Sequence, residues 1–122
     1  MLYVGDAGRN TPIYDIEGFA EDGVVLDKHG KLPDLVINLP RRDWFVLIEA
    51  ANSHGPIDSK RHAELKALFA ESLAGLVYVS CFTSRAEMRK YLADIAWETE
   101  VWCAEDPTHL IHFNGERFLG PY

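Results

Sequence analysis

The sequence predicts an α/β domain, a mixed central β-sheet flanked by helices. Three observations carry this. Two apolar runs, Asp34–Leu39 and Trp44–Ala50, flank the breaker Pro40-Arg41-Arg42-Asp43 and read as an antiparallel hairpin. A helical repeat follows, and then a third apolar run, Leu76–Phe82; this strand–helix–strand unit predicts parallel strands joined by a right-handed crossover. Near the end, Asn114-Gly115 separates Leu110–Phe113 from Glu116–Leu119, the strongest short hairpin signal. The apolar runs show no polar face, as expected of a sheet covered on both sides.

Taken in order, Leu2-Tyr3-Val4 predicts a short strand and Gly5–Gly8 a plain turn, since no Gly-Lys-Ser/Thr ending makes it a phosphate loop. Thr11-Pro12 predicts an N-cap and first helical residue, with Ile13, Ile16 and Ala20 on the apolar face and Gly23 at the end. Val24–Leu26 reads as a brief strand. After the hairpin, Asp58 or Ser59 caps a helix over about Lys60–Ala74, whose Leu65, Leu68, Phe69 and Leu73 face the core. Lys60 and Arg61 occupy its first turn, where the helix dipole prefers anions. Ser84 and Glu87 form a capping box, and Met88, Tyr91, Leu92 and Ile95 line the next helix. Trp97–Cys103 reads as a strand, with Trp97 and Trp102 expected in the core.

Composition sets further bounds. A chain of 122 residues, 48% apolar, is expected to form one domain with a core of its own. No apolar run reaches membrane-spanning length and no signal peptide opens the chain, so no membrane partner and a cytoplasmic setting are expected. Cys81 and Cys103 sit in apolar runs and read as buried thiols; neither they nor the five histidines show a metal-ligand spacing. The net charge of −7 argues against a broad nucleic-acid coat. It leaves room for a local basic face, with Lys28/His29/Lys31, Arg41/Arg42, Lys60/Arg61 and Arg85/Arg89/Lys90 as candidates.

The hairpin carries the chemistry. If the four breaker residues form its loop, Leu39 faces Trp44, Val36 faces Leu47 and Asp34 faces Glu49. Directly opposed side chains share a face with Cβ atoms about 5 Å apart, and two like charges there are destabilising without compensation. A hard cation such as Mg²⁺ resolves the conflict through carboxylate oxygens. The adjacent Ser53-His54 does not make a Ser-His hydrolase, because no G-x-S-x-G elbow is present.

Four phrases, KLPDLV, LIEAANSHGP, DIAWETEVW and IHFNGERFLGP, resemble the C-terminal part of the BsuBI/PstI restriction endonuclease family, within the PD-(D/E)xK nuclease superfamily. The resemblance runs from about Leu2 to Pro121. It implies a restriction-endonuclease-like α-β-β-β-α-β core. Asp34 matches the superfamily aspartate and Glu49 the acid of the second half-motif, with the Ala50 carbonyl as a third Mg²⁺ ligand. The superfamily lysine belongs at position 51, which is alanine here. The missing cation is expected from Lys60 first and from Lys31 second. Ser53, His54, Arg61 and Lys31 are expected to touch substrate. The implied function is Mg²⁺-dependent type II cleavage of double-stranded DNA at a palindrome (CTGCAG in the family's founding members). A homodimer, a cognate DNA methyltransferase and an additional N-terminal recognition region, lacking here, complete the family pattern. The rival expectation is a non-catalytic DNA-binding or dimerisation module with a degenerate site.

Overall fold

A computed structural model describes residues 3–4, 13–14, 32–39, 41–51 and 55–115. The strands are β1 (Tyr3–Val4), β2 (Ile13–Tyr14), β3 (Leu35–Leu39), β4 (Trp44–Ala50), β5 (Gly75–Phe82), β6 (Thr99–Cys103) and β7 (Leu110–Phe113). Among the described residues, two α-helices, α1 (Ser59–Leu68) and α2 (Arg85–Arg89), and a 3₁₀ turn at Leu92–Asp94 connect them. The strands form one mixed sheet in the order β2-β1-β3-β4-β5-β6-β7. The β3–β4 hairpin is antiparallel, β4, β5 and β6 run parallel, and β7 returns antiparallel.

The hairpin takes the register the sequence predicts. Leu39 pairs with Trp44 and Val36 with Leu47. Its turn places Asp43 at φ 55°, a conformation that Asp tolerates better than most residues. The turn is tied to the next unit, because Gly75 N–H donates to the Asp43 carbonyl at 2.8 Å.

Paired residues share a face, so the core forms two clusters side by side on one face of the sheet. Val36, Phe45, Leu47 and Tyr78 pack against Leu65 and Phe69 of the α1 segment. Phe82, Val101 and Cys103 pack with Ala51 and Ile95, and Met88 and Tyr91 lie against them. Phe45 and Phe69 meet edge to face at 6.2 Å. Ile57, in the first cluster, is fully buried and fixed at both backbone groups. Its N–H donates to Ser80 Oγ at 2.8 Å, and its carbonyl accepts from Ala96 N–H at 3.0 Å. This pins the start of α1 above the ends of β4 and β5. Asp58 then caps the helix, accepting from Arg61 N–H at 2.7 Å.

Several expected elements differ. Ile13–Tyr14 is not helical: it is strand β2, with Tyr3 opposite Tyr14, and pairing to β1 suits these β-favouring residues. The rest of that predicted helix, Gly5–Gly8, Val24–Leu26 and Glu116–Leu119 lie outside the described residues. Helix α1 ends at Leu68 rather than near Ala74, so Leu73 leaves the helical face and is 74% exposed. The predicted helix after Ser84 breaks at Arg89, which turns Leu92 outward. Trp97 is not core: it precedes β6, is 69% exposed and meets Phe113 at 6.4 Å. Trp102 is half-buried, its Nε1 donating to the Pro107 carbonyl. Cys103 is buried as expected, while Cys81 is partly buried.

Replacing Phe69 with Ala is expected to cost about 3–5 kcal/mol by urea unfolding, whereas Leu73→Ala should stay within about 0.5 kcal/mol. Equal losses would contradict the helix end described here.

Candidate active site

Extending the β3–β4 register by one residue places Asp34 opposite Glu49, where β3 begins and β4 ends. The contacts agree with this placement. Ala50 N–H donates to Asp34 Oδ2 at 2.8 Å, which fixes the aspartate against the strand that carries the glutamate. Glu49 is held from the helix side. Arg61 Nε donates to Glu49 Oε1 at 2.7 Å, and Nη2 reaches the same oxygen. Both side chains are largely buried, Arg61 at 11% and Glu49 at 14% exposure. Arg61 Nη2 also donates to the Leu32 carbonyl, and Nη1 to Glu64 Oε2, each at 3.3 Å. Burial alone would lower the Arg61 pKa, but the hydrogen bond and charge of Glu49, then of Glu64, outweigh it and hold the guanidinium above its ordinary value.

Lys60, the neighbour of Arg61, lies on the outer side of the helix turn. Its side chain is 86% exposed and approaches Glu64 at 4.0 Å. Ala51 is buried among Phe82, Ile95, Val101 and Cys103. A side chain extended from position 51 therefore starts inside an apolar cluster. Lys31, Ser53 and His54 lie outside the described residues, as does the cluster Lys28/His29/Lys31.

The donor set suits a hard cation. Each acid has one oxygen fixed by an N–H group, and among the described residues no donor bonds Asp34 Oδ1 or Glu49 Oε2. Among those residues no group of three His, Cys, Asp or Glu side chains could hold a metal. A third protein ligand here would be a backbone oxygen such as the Ala50 carbonyl, with water and phosphate completing an oxygen shell as Mg²⁺ prefers.

The sheet sorts the basic groups by distance. Arg41 and Arg42 sit at the hairpin turn, with Arg42 over the Trp44 ring at 5.2 Å. That turn is about 17 Å along β4 from Glu49. Arg85, by contrast, follows the C-terminal end of β5, the same sheet edge as the acids, and is near Glu105 and Asp106. Cys81, opposite Ala50 in the β4–β5 register, belongs to the same edge. Burial, then Cys103, then Asp34 push its thiol up to about 11.

The description "BsuBI/PstI restriction endonuclease domain" matches residues 1–116. The chain belongs to the BsuBI/PstI restriction endonuclease family. Within it, the chain is 55% identical over 122 residues to the type II restriction enzyme BsuBI of Bacillus subtilis, covering 100% of this chain and 39% of BsuBI. It is 34% identical over 126 residues to the type II restriction enzyme AplI of Arthrospira platensis, covering 98% of this chain and 39% of AplI. The structure of the SdaI restriction endonuclease superposes with a TM-score of 0.88 at 50% identity, over 99% of this chain and 38% of SdaI. The chain thus spans well under half the length of these proteins. Among its described residues no helix is long and apolar enough to cross a membrane.

The opposition of Asp34 to Glu49 and the place of Lys60 and Arg61 in the first turn of α1 follow from the sequence. The contact of Arg61 with Glu49 does not, although the conflict between a cation and the helix N-terminus is a signal that Arg61 answers to something else. The position of Cys81 beside Asp34 gives a prediction. Its ordinary value is 9.0, so alkylation at pH 8 should run about 100-fold slower than for a free thiol and rise tenfold per pH unit toward pH 11. The fold favours the protonated thiol; this contribution to stability is complete below pH 9 and is lost as pH rises through about 11. A rate that levels off near pH 9 would contradict the burial described.

Proposed function

We propose that this chain is the catalytic domain of a type II restriction endonuclease, hydrolysing phosphodiester bonds of double-stranded DNA with Mg²⁺. One observation carries the reading: Asp34 accepts from Ala50 N–H beside Glu49, so two partly buried carboxylates meet where β3 begins and β4 ends. The names of the relatives, type II restriction enzymes and a restriction endonuclease, support it.

Phosphodiester hydrolysis needs a water aligned with the leaving oxygen, stabilisation of charge on the phosphate, and a proton for the leaving group. A divalent cation supplies charge stabilisation and lowers the pKa of water. Asp34, Glu49 and the Ala50 carbonyl would hold it. Arg61 orients Glu49, and Lys60, exposed beside Glu64 on the outer side of α1, is suited to a phosphate of bound DNA. Ser53, His54 and Lys31 complete the proposed substrate contacts. The finer family expectations are part of the same proposal: a CTGCAG-type palindrome, a two-fold homodimer with one site per strand, a cognate methyltransferase and a cytoplasmic setting.

A second reading has a specific observation in its favour. Position 51 is alanine, and Lys60 touches neither acid. These facts suit a module that binds DNA or dimerises without cutting.

Cleavage assays on supercoiled DNA separate the two. Asp34→Asn and Glu49→Gln should each lower Mg²⁺-dependent cleavage by about 10²-fold or more while the fold persists. Binding of DNA by the wild type with no cleavage, in Mg²⁺ or Mn²⁺, would favour the non-catalytic module. Lys60→Ala should weaken DNA binding at all sequences and reduce the slope of log affinity against log salt by about one. Unchanged salt dependence would remove Lys60 from the interface.

A further inference from the structure

Resting on the reading of Asp34 and Glu49 as the metal-holding pair, we infer that Arg61 is the resident counter-cation of that pair. It takes the place of a divalent ion in the metal-free protein and sets how tightly one is bound.

Four observations lead here. The first is connectivity. Every guanidinium nitrogen of Arg61 has a partner, and the partners span three segments: Glu49 at the end of β4, the Leu32 carbonyl two residues before Asp34, and Glu64 on its own helix. Arg61 therefore ties together both acid-bearing segments. The second is burial. A guanidinium at 11% exposure gives up hydration, which is costly unless its partners are well placed. The third is location. A cation in the first turn of α1 opposes the helix dipole, so helix stability does not account for it. The fourth is position 51. Its side chain enters the apolar cluster of Phe82, Ile95, Val101 and Cys103, so the cation facing Glu49 comes from α1.

The electrostatic consequence follows. Two carboxylates opposed across a hairpin repel, and Arg61 neutralises one of them before any metal arrives. The site is then assembled in advance, with the Arg61 contacts concentrated on Glu49 Oε1. The same positive charge opposes an incoming divalent ion. Arg61 and the metal are thus alternative answers to one repulsion, and each weakens the need for the other. As a positioning residue, Arg61 trades metal affinity for a preformed acid pair.

The test is Mn²⁺ binding to the full chain, by calorimetry or by the loss of free Mn²⁺ signal in electron paramagnetic resonance. Wild type is compared with Arg61→Gln and Arg61→Lys. Arg61→Gln removes the charge and should bind Mn²⁺ about tenfold more tightly, the effect of one unit charge about 6 Å from a divalent ion in a water-like dielectric. Its melting temperature should be lower than that of wild type without metal and should rise more on adding Mn²⁺. Arg61→Lys keeps the charge and should match wild-type affinity within about threefold; it decides the matter if Arg61→Gln does not fold, since tenfold tighter or weaker binding by Arg61→Lys would contradict a role set by charge. If wild type binds Mn²⁺ and Arg61→Gln binds it equally or more weakly, the counter-cation role is overturned while the metal reading stands. If neither wild type nor Arg61→Gln takes up Mn²⁺, the metal reading falls and the inference falls with it.

Discussion

The register of the β3–β4 hairpin is the constraint on which the site depends. Side chains alternate with period two along a strand, so a slip by one residue would put Asp34 and Glu49 on opposite faces. Several features hold the register. Val36 and Leu47 are fully buried as a cross-strand pair, and Asp34 accepts from Ala50 N–H. A slip would expose the first pair and break the second contact. The packing that stabilises the sheet thereby fixes the distance between the acids.

Holding two carboxylates together has an electrostatic cost, and the fold meets it from the helix. Ile57 is fastened by Ser80 and Ala96, Asp58 caps α1, and the first turn delivers Arg61 to Glu49. Each step fixes the next, from a buried backbone hydrogen bond to the orientation of a carboxylate. The chain uses an arginine because a planar guanidinium can bridge Glu49, Glu64 and a carbonyl at once, which a lysine ammonium does with less directional fit.

Much of this was legible in the sequence. The hairpin register, the bounds of β4, a cap at Asp58 or Ser59 and the parallel β4–α1–β5 unit follow from apolar alternation and punctuation, signals that act over a few residues. What failed depended on longer-range packing. Leu73 continues the helical period of Leu65 and Phe69, but the chain turns out of the helix before reaching it. Trp97 sits in an apolar context, yet it falls ahead of β6 and outside the core. Ile13 and Tyr14 follow a good helix-start signal, but pairing with β1 decides their conformation, and such pairing is not local. At the site, both acids could be named from the hairpin. The choice between Lys60 and Arg61 as the cation facing Glu49 could not, because adjacent helical residues differ by about 100° in direction and only the packing of α1 on the sheet selects one.

The proposed function requires that the hairpin bring Asp34 and Glu49 together as a metal-holding pair. A crystal soaked in Mn²⁺ and read by anomalous diffraction tests it most directly. A peak is expected between the two carboxylates, within coordination distance of the Ala50 carbonyl. A well-ordered site in which the carboxylates point to opposite faces of the sheet, with no peak between them, would contradict it.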